Sequence, residues 1–198
     1  MKETLGYISG ILAILSAVPY IRNIFLLKTK PQRASWLIWS VLPSIAFFAQ
    51  LSKGGTWSLL LTAGDLMTVL VIFILSIKYG VGGKTKLDIW ALVGAGVGLL
   101  LWYITKEALA ALLITIFVDF LGGMLTIIKT YKDPESETLI TWMITGLAGF
   151  FGALSVWENN FSLLVFPIWI CLINFSVAIT ILLGRRKLKL LQMKNLSQ

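Results

Sequence analysis

Two acidic residues stand where acids are expensive. Asp119 lies near the middle of an apolar stretch from Ala108 to Thr130, and Asp65 about two turns into another from Trp57 to Ile77. A carboxylate at the centre of a bilayer costs about 2.5–3.5 kcal/mol on insertion scales, so it must face protein or water rather than acyl chains. Two roles fit Asp119. It binds a substrate polar group, a cation or a proton, or it pairs structurally with Arg22 or with hydroxyls of the first helix. Pro19, Pro43 and Pro167 also fall inside apolar stretches, where each removes one backbone hydrogen bond and permits a kink suited to a hinge. Other chemistries lack their parts. The chain has no His and a single Cys171, which excludes a zinc site, a Cys–His nucleophile and an intrachain disulfide. No second nucleophile, metal set or cofactor motif accompanies the two acids, so neither enzymatic activity nor a cofactor is expected.

The elements that hold these residues read out by hydropathy. With 58% hydrophobic and 13% charged residues in 198 and a mean hydropathy of +0.88, the chain has too little charge to cover a soluble surface. Seven stretches are expected to be membrane helices: Leu5–Leu27, Ser35–Leu51, Trp57–Ile77, Asp88–Ile104, Ala108–Thr130, Thr138–Val156 and Ser162–Leu183. The first is too long for the apolar core of a secretory signal, and no small-residue cleavage site follows it. The net charge of +8 sits in short loops between apolar runs, which points to orientation and anionic lipid rather than nucleic acid. Thirteen of the 17 Lys and Arg fall in the loops after the first, third and fifth spans and in the tail from Arg185. That imbalance predicts an outside N-terminus and a cytoplasmic C-terminus.

Polar residues recur at helical spacing on five spans. They are Ser9, Ser16, Tyr20 and Asn23 on the first; Trp39, Pro43 and Gln50 on the second; and Thr62, Asp65 and Thr68 on the third. The fifth carries Thr115, Asp119, Gly122 and Thr126, and the sixth Thr138, Trp142, Thr145 and Gly149. Such stripes line a central path or serve as glue between helices. Trp36, Trp57, Trp90, Trp102 and Trp157 lie near span ends and read as an interfacial belt. Trp39 and Trp142, one turn from a loop, fit a belt or a gate, and with Trp169 they offer a stacking face for a ring-shaped ligand.

The sequence also repeats. Lys28-Thr29 recurs as Lys129-Thr130. Pro31 and Trp39 then line up with Pro134 and Trp142, and Trp57-Ser58-Leu59-Leu60-Leu61 with Phe161-Ser162-Leu163-Leu164-Val165. By this alignment Asp65 faces Trp169. The expected fold is an all-α membrane protein of seven transmembrane helices, arranged as two parallel three-helix repeats joined by a linker helix (3+1+3). Residues 1–80 form the first repeat, 81–106 the linker, 107–184 the second repeat and 185–198 a basic cytoplasmic tail. The linker's Gly94-Ala95-Gly96-Val97-Gly98 offers a small-residue face for close packing.

This arrangement resembles the SWEET sugar transporters and the wider PQ-loop family. That family's motif is Pro-Gln in the first helix of each repeat, followed by basic residues and a Ser/Gly entry to the second helix. Here Pro19-Tyr20-Ile21 stands where Pro-Gln would, Lys28-Thr29-Lys30 follows, and Ala34-Ser35 opens the second helix. Pro31-Gln32 falls in the loop, and Phe120-Leu121 replaces the pair in the second repeat, as in an outlying member. The resemblance implies substrate held between an aromatic and an Asn of each repeat. Asn174 is the candidate in repeat two and Asp65 its stand-in in repeat one. It further implies a carrier for a small polar metabolite (a sugar, amino acid or vitamin precursor), working by alternating access in the plasma membrane. No ATP-binding motif accompanies it. A receptor or assembly factor on the same fold is the alternative, and assembly as a homo-oligomer stays open.

Overall fold

The computed structural model describes residues 1–81, 85–105, 108–156 and 160–196. The chain is all-α over those residues. It forms α1 (Lys2–Phe25), α2 (Arg33–Ser52), α3 (Leu59–Tyr79), α4 (Lys86–Thr105), α5 (Ala108–Lys132), α6 (Leu139–Ser155) and α7 (Phe161–Leu196), with a 3-10 turn at Pro134–Ser136 before α6. The proline sites do not break their helices, since α1, α2 and α7 each continue through theirs.

The surface is turned inside out relative to a soluble bundle. Ser9, Thr62 and Ser76 are fully buried, whereas Val18, Met67, Ile74 and Leu172 are more than half exposed. Apolar outward faces with hydroxyls turned inward suit acyl chains as solvent, and in water they would be one large adhesive patch. Among the described residues, α1, α2, α3, Leu113–Tyr131 of α5 and Phe161–Met193 of α7 are long and apolar enough to cross a bilayer. The chain is therefore a helical membrane protein, with five such spans against the seven read from hydropathy. At 17 residues, α6 reaches only about 26 Å, short of a ~30 Å hydrocarbon core. α4 is not among the five.

Packing follows the polar stripes. α1 lies against α3 and α6, and α2 against α3 and α5; α7 lies against α5 and α6. The α1–α3 crossing is close because Gly10 and Gly64 meet there. A Cβ at Gly64 would stand 2.8 Å from the Gly10 carbonyl oxygen. Hydroxyls fasten these crossings to backbone carbonyls: Thr68 donates to Ala13 at 3.0 Å, Ser9 to Ala148 at 2.7 Å and Thr141 to Ser16 at 3.0 Å. α4 sits at the edge, in contact with α2 and α5. Its small-residue face is used at Gly94, 3.5 Å from Val118 when a Cβ is added, while Gly96 meets nothing within 4 Å. The side-chain environment of Gly98 lies outside the described residues.

One end of the bundle collects the basic segments. Val81, just after α3, forms a parallel bridge with Gln32 before α2. The bridge is made by Arg33 N–H to the Val81 carbonyl at 3.0 Å and Val81 N–H to the Pro31 carbonyl at 2.9 Å. Asn23 donates to the Thr138 hydroxyl at 3.0 Å, and Thr29 shares a 3.0 Å bond with the same hydroxyl. Beyond the apolar limit at Leu183 the helix runs on to Leu196. Arg, Lys, Leu, Gln and Met are all good helix formers. There Arg185 pairs with Glu135 at 3.0 Å, and the Lys187 ammonium lies 4.7 Å over the Tyr131 ring.

Candidate functional site: a cavity with two carboxylates

α1, α2, α3, α5, α6 and α7 together enclose a cavity of about 70 Å³, room for a few water molecules. The stripes converge on it. Ser16 comes from α1, Trp36, Trp39 and Pro43 from α2, Asp65 and Thr68 from α3, Thr115 and Asp119 from α5, Thr141, Trp142 and Thr145 from α6, and Trp169 and Asn174 from α7.

Asp119 is held by indoles. Trp169 donates its Nε1–H to Asp119 Oδ2 at 2.6 Å, and the Trp39 side chain is a second hydrogen-bond partner of that carboxylate. Of the two roles set out for Asp119, pairing with Arg22 is not what forms: Arg22 is exposed on the outer face of α1. Trp169, which the repeat alignment set opposite Asp65, is bonded instead to Asp119, because α7 packs directly on α5. Asp65 is only 8% exposed. It makes no hydrogen bond or ion pair among the described residues, and it lies close enough to Asp119 for the two charges to interact.

Aromatic rings form one wall. Tyr20 packs on Trp36 at 5.1 Å between centroids, Trp36 meets Trp39 edge-on at 5.2 Å, and Trp39 meets Trp142 edge-on at 6.0 Å. Trp36 is therefore interior, not part of a belt as its place beside a loop suggested. Tyr20 is the reason, offering it an inward-facing partner. Trp90 is well exposed, as a belt residue should be. Trp57 packs on Tyr7 at 5.5 Å. Trp157 and the side chain of Trp102 lie outside the described residues.

The remaining candidates divide. Asn174 lines the cavity but donates to the Ile170 carbonyl of its own helix at 2.8 Å. Gln50 and Asn23 do not line it. Gln50 accepts from Thr62 at 2.7 Å with its Nε2 left unpartnered, and Asn23 is committed to Thr138. These two are glue. Pro43 lies on the cavity wall, and Pro167 lies beside Gly149, where a Cβ would come 2.9 Å from the Pro167 carbonyl oxygen. Pro19 is half-buried one residue before Tyr20.

One functional group escaped the sequence. Glu137, 6% exposed, accepts from the Lys129 ammonium at 2.8 Å and from Trp142 Nε1–H at 3.2 Å. It ties the end of α5 to the start of α6 and sets the Trp142 ring at the cavity. The signal was a Glu followed five residues later by Trp and preceded eight earlier by Lys, a spacing that means little until the turn at Pro134 folds it. Replacing Glu137 by Gln should weaken two charge-assisted bonds at about 1.5–3 kcal/mol in total. The thermal midpoint should then drop by roughly 3–10 °C for a chain this size. An unchanged midpoint would mean that the loop holds Trp142 by other means.

Among the described residues no group of three or more acidic, Cys or His side chains could hold a metal. The chain matches no family model, no curated protein and no solved structure.

Proposed function

We propose that this protein is a transmembrane carrier for a small polar metabolite. In this reading two parallel three-helix repeats, α1–α3 and α5–α7, rock about a central site, with α4 as the linker that restores direction. The observation that carries it is the cavity itself, which six helices enclose around two carboxylates with no basic side chain among the described residues of its wall. Helix adjacency supports the duplication. Exchanging α1, α2 and α3 for α5, α6 and α7 turns the α1–α3 contact into α5–α7, α2–α3 into α6–α7, and α1–α6 into α5–α2. Trp39 and Trp142, equivalent by sequence, meet each other at 6.0 Å, as residues beside a two-fold axis must.

At about 70 Å³ the cavity is tight for a metabolite, so loading requires the repeats to part. Pro43 and Pro167 lie beside the cavity or the α6–α7 contact, where a missing backbone bond eases bending. The basic segments gathered at one end support a cytoplasmic C-terminus and an outside N-terminus in the plasma membrane.

Purified protein in proteoliposomes tests this with a panel of labelled sugars, amino acids and vitamin precursors. A carrier accumulates at least one solute above empty liposomes, with saturation. Silence of well-folded protein across the panel would overturn the carrier and favour a receptor or assembly factor on the same bundle.

A further inference from the structure

The cavity's charge and walls narrow the ligand class. Asp65 and Asp119 face one space, and among the described residues no Lys or Arg lines it. The ion pairs among the described residues, Lys129–Glu137 and Arg185–Glu135, both lie at the basic end and leave the cavity uncompensated. Asp119 at least has indole donors. Asp65 has none, although it is more than nine-tenths buried. A buried carboxylate without a partner is costly to keep charged, and that cost falls when a ligand brings the missing positive charge.

The walls say which cation. An inorganic divalent ion seeks six or more oxygen ligands, but the Ser16, Thr68, Thr141 and Thr145 hydroxyls are each committed to a backbone carbonyl, and Trp39, Trp142 and Trp169 share the lining. Indole faces attract organic cations through the ring quadrupole, most strongly when water is excluded. Two carboxylates and three indoles lining one space make a site for an ammonium group with apolar substituents.

Building on the carrier reading, we infer that the substrate is an organic cation, a primary or quaternary amine, whose charged nitrogen sits between Asp65, Asp119 and the three indoles. A neutral polyol such as a sugar would leave both carboxylates without a counter-charge.

Two matched pairs of probes test the inference on the purified full-length protein by isothermal calorimetry. Choline is set against 3,3-dimethylbutan-1-ol, and benzylamine against benzyl alcohol; within each pair the shape is nearly constant and only the charge differs. At least one cation should bind tenfold or more tightly than its neutral match. Asp65→Asn should remove most of that difference without lowering the thermal midpoint, since no bond of Asp65 is lost and a buried charge is removed. If that variant fails to fold, Asp119→Asn serves instead: it removes the other carboxylate of the same space and should likewise cut the difference between cation and neutral match. Equal binding of charged and neutral probes, or binding of neither cation, would overturn the inference and leave the acids as a proton-carrying pair. The two readings fail separately. Flux of neutral solutes without cation preference sinks the cation and keeps the carrier, whereas cation binding without any flux does the reverse.

Discussion

Asp119→Asn is expected to reach the membrane and reconstitute like the wild type, yet to take up substrate about ten- to a hundredfold more slowly. Asn preserves size and one acceptor oxygen for the Trp169 N–H, now 2.6 Å from Oδ2. The negative charge is lost, and an amide NH2 is brought toward indoles that can only donate. Hydrogen bonds to a charged group are worth about 1.5–3 kcal/mol, and about 1.4 kcal/mol is a factor of ten. Because Trp169 and Trp39 would lose their shared anchor, the defect should appear in KM and in the maximal rate together. Initial uptake rates at graded substrate, with thermal midpoints measured in parallel, check it. Wild-type rates in this variant would remove Asp119 from the transport path.

Gly149→Ala should destabilise the bundle strongly. Gly149 of α6 faces the backbone of α7: an added Cβ would stand 2.5 Å from the Cys171 nitrogen and 2.9 Å from the Pro167 carbonyl oxygen. Backbone atoms of a packed helix cannot swing aside as a side chain can, so α6 and α7 must separate along their length. Overpacking of this kind costs about 1–3 kcal/mol and occasionally more. The variant is expected to melt several degrees lower or to fail to accumulate. Gly96→Ala is the matched control. Gly96 on α4 has open space around it, so Ala there should be neutral or stabilising by up to about 1 kcal/mol. Similar losses from both would mean that any glycine replacement is harmful and would remove the close contact as the cause.

Much of the fold was legible because a bilayer imposes a simple rule: long apolar runs become helices, and their rare polar residues turn inward. The stripes through Ser16, Asp65, Asp119 and Thr145 follow it. Contacts between distant segments were harder. Hydropathy near Trp36 cannot tell a ring lying at the interface from one folded inward onto Tyr20. The Trp169–Asp119 bond joins residues 50 apart, and only the packing of α7 on α5 brings them together. The same stripes also mixed two tasks. Gln50 and Asn23 keep helical spacing with cavity residues but lie farther along the axis, where they fasten neighbours. The continuation of α7 past Leu183 was readable in principle, since helix propensity survives where hydropathy falls.

On the carrier reading, Asp65 and Asp119, with no fixed cation among the described residues of the cavity wall, also have an electrical consequence. With either acid ionised, a carrier that reorients unloaded moves net negative charge through the bilayer, at about 2.3 kcal/mol per elementary charge for each 100 mV crossed in full. An interior-negative cell pushes that empty anionic site outward, and a bound monovalent cation cancels one unit of the push on the way in. Resting voltage by itself would thus recock the device after each delivery, with no coupled ion gradient needed.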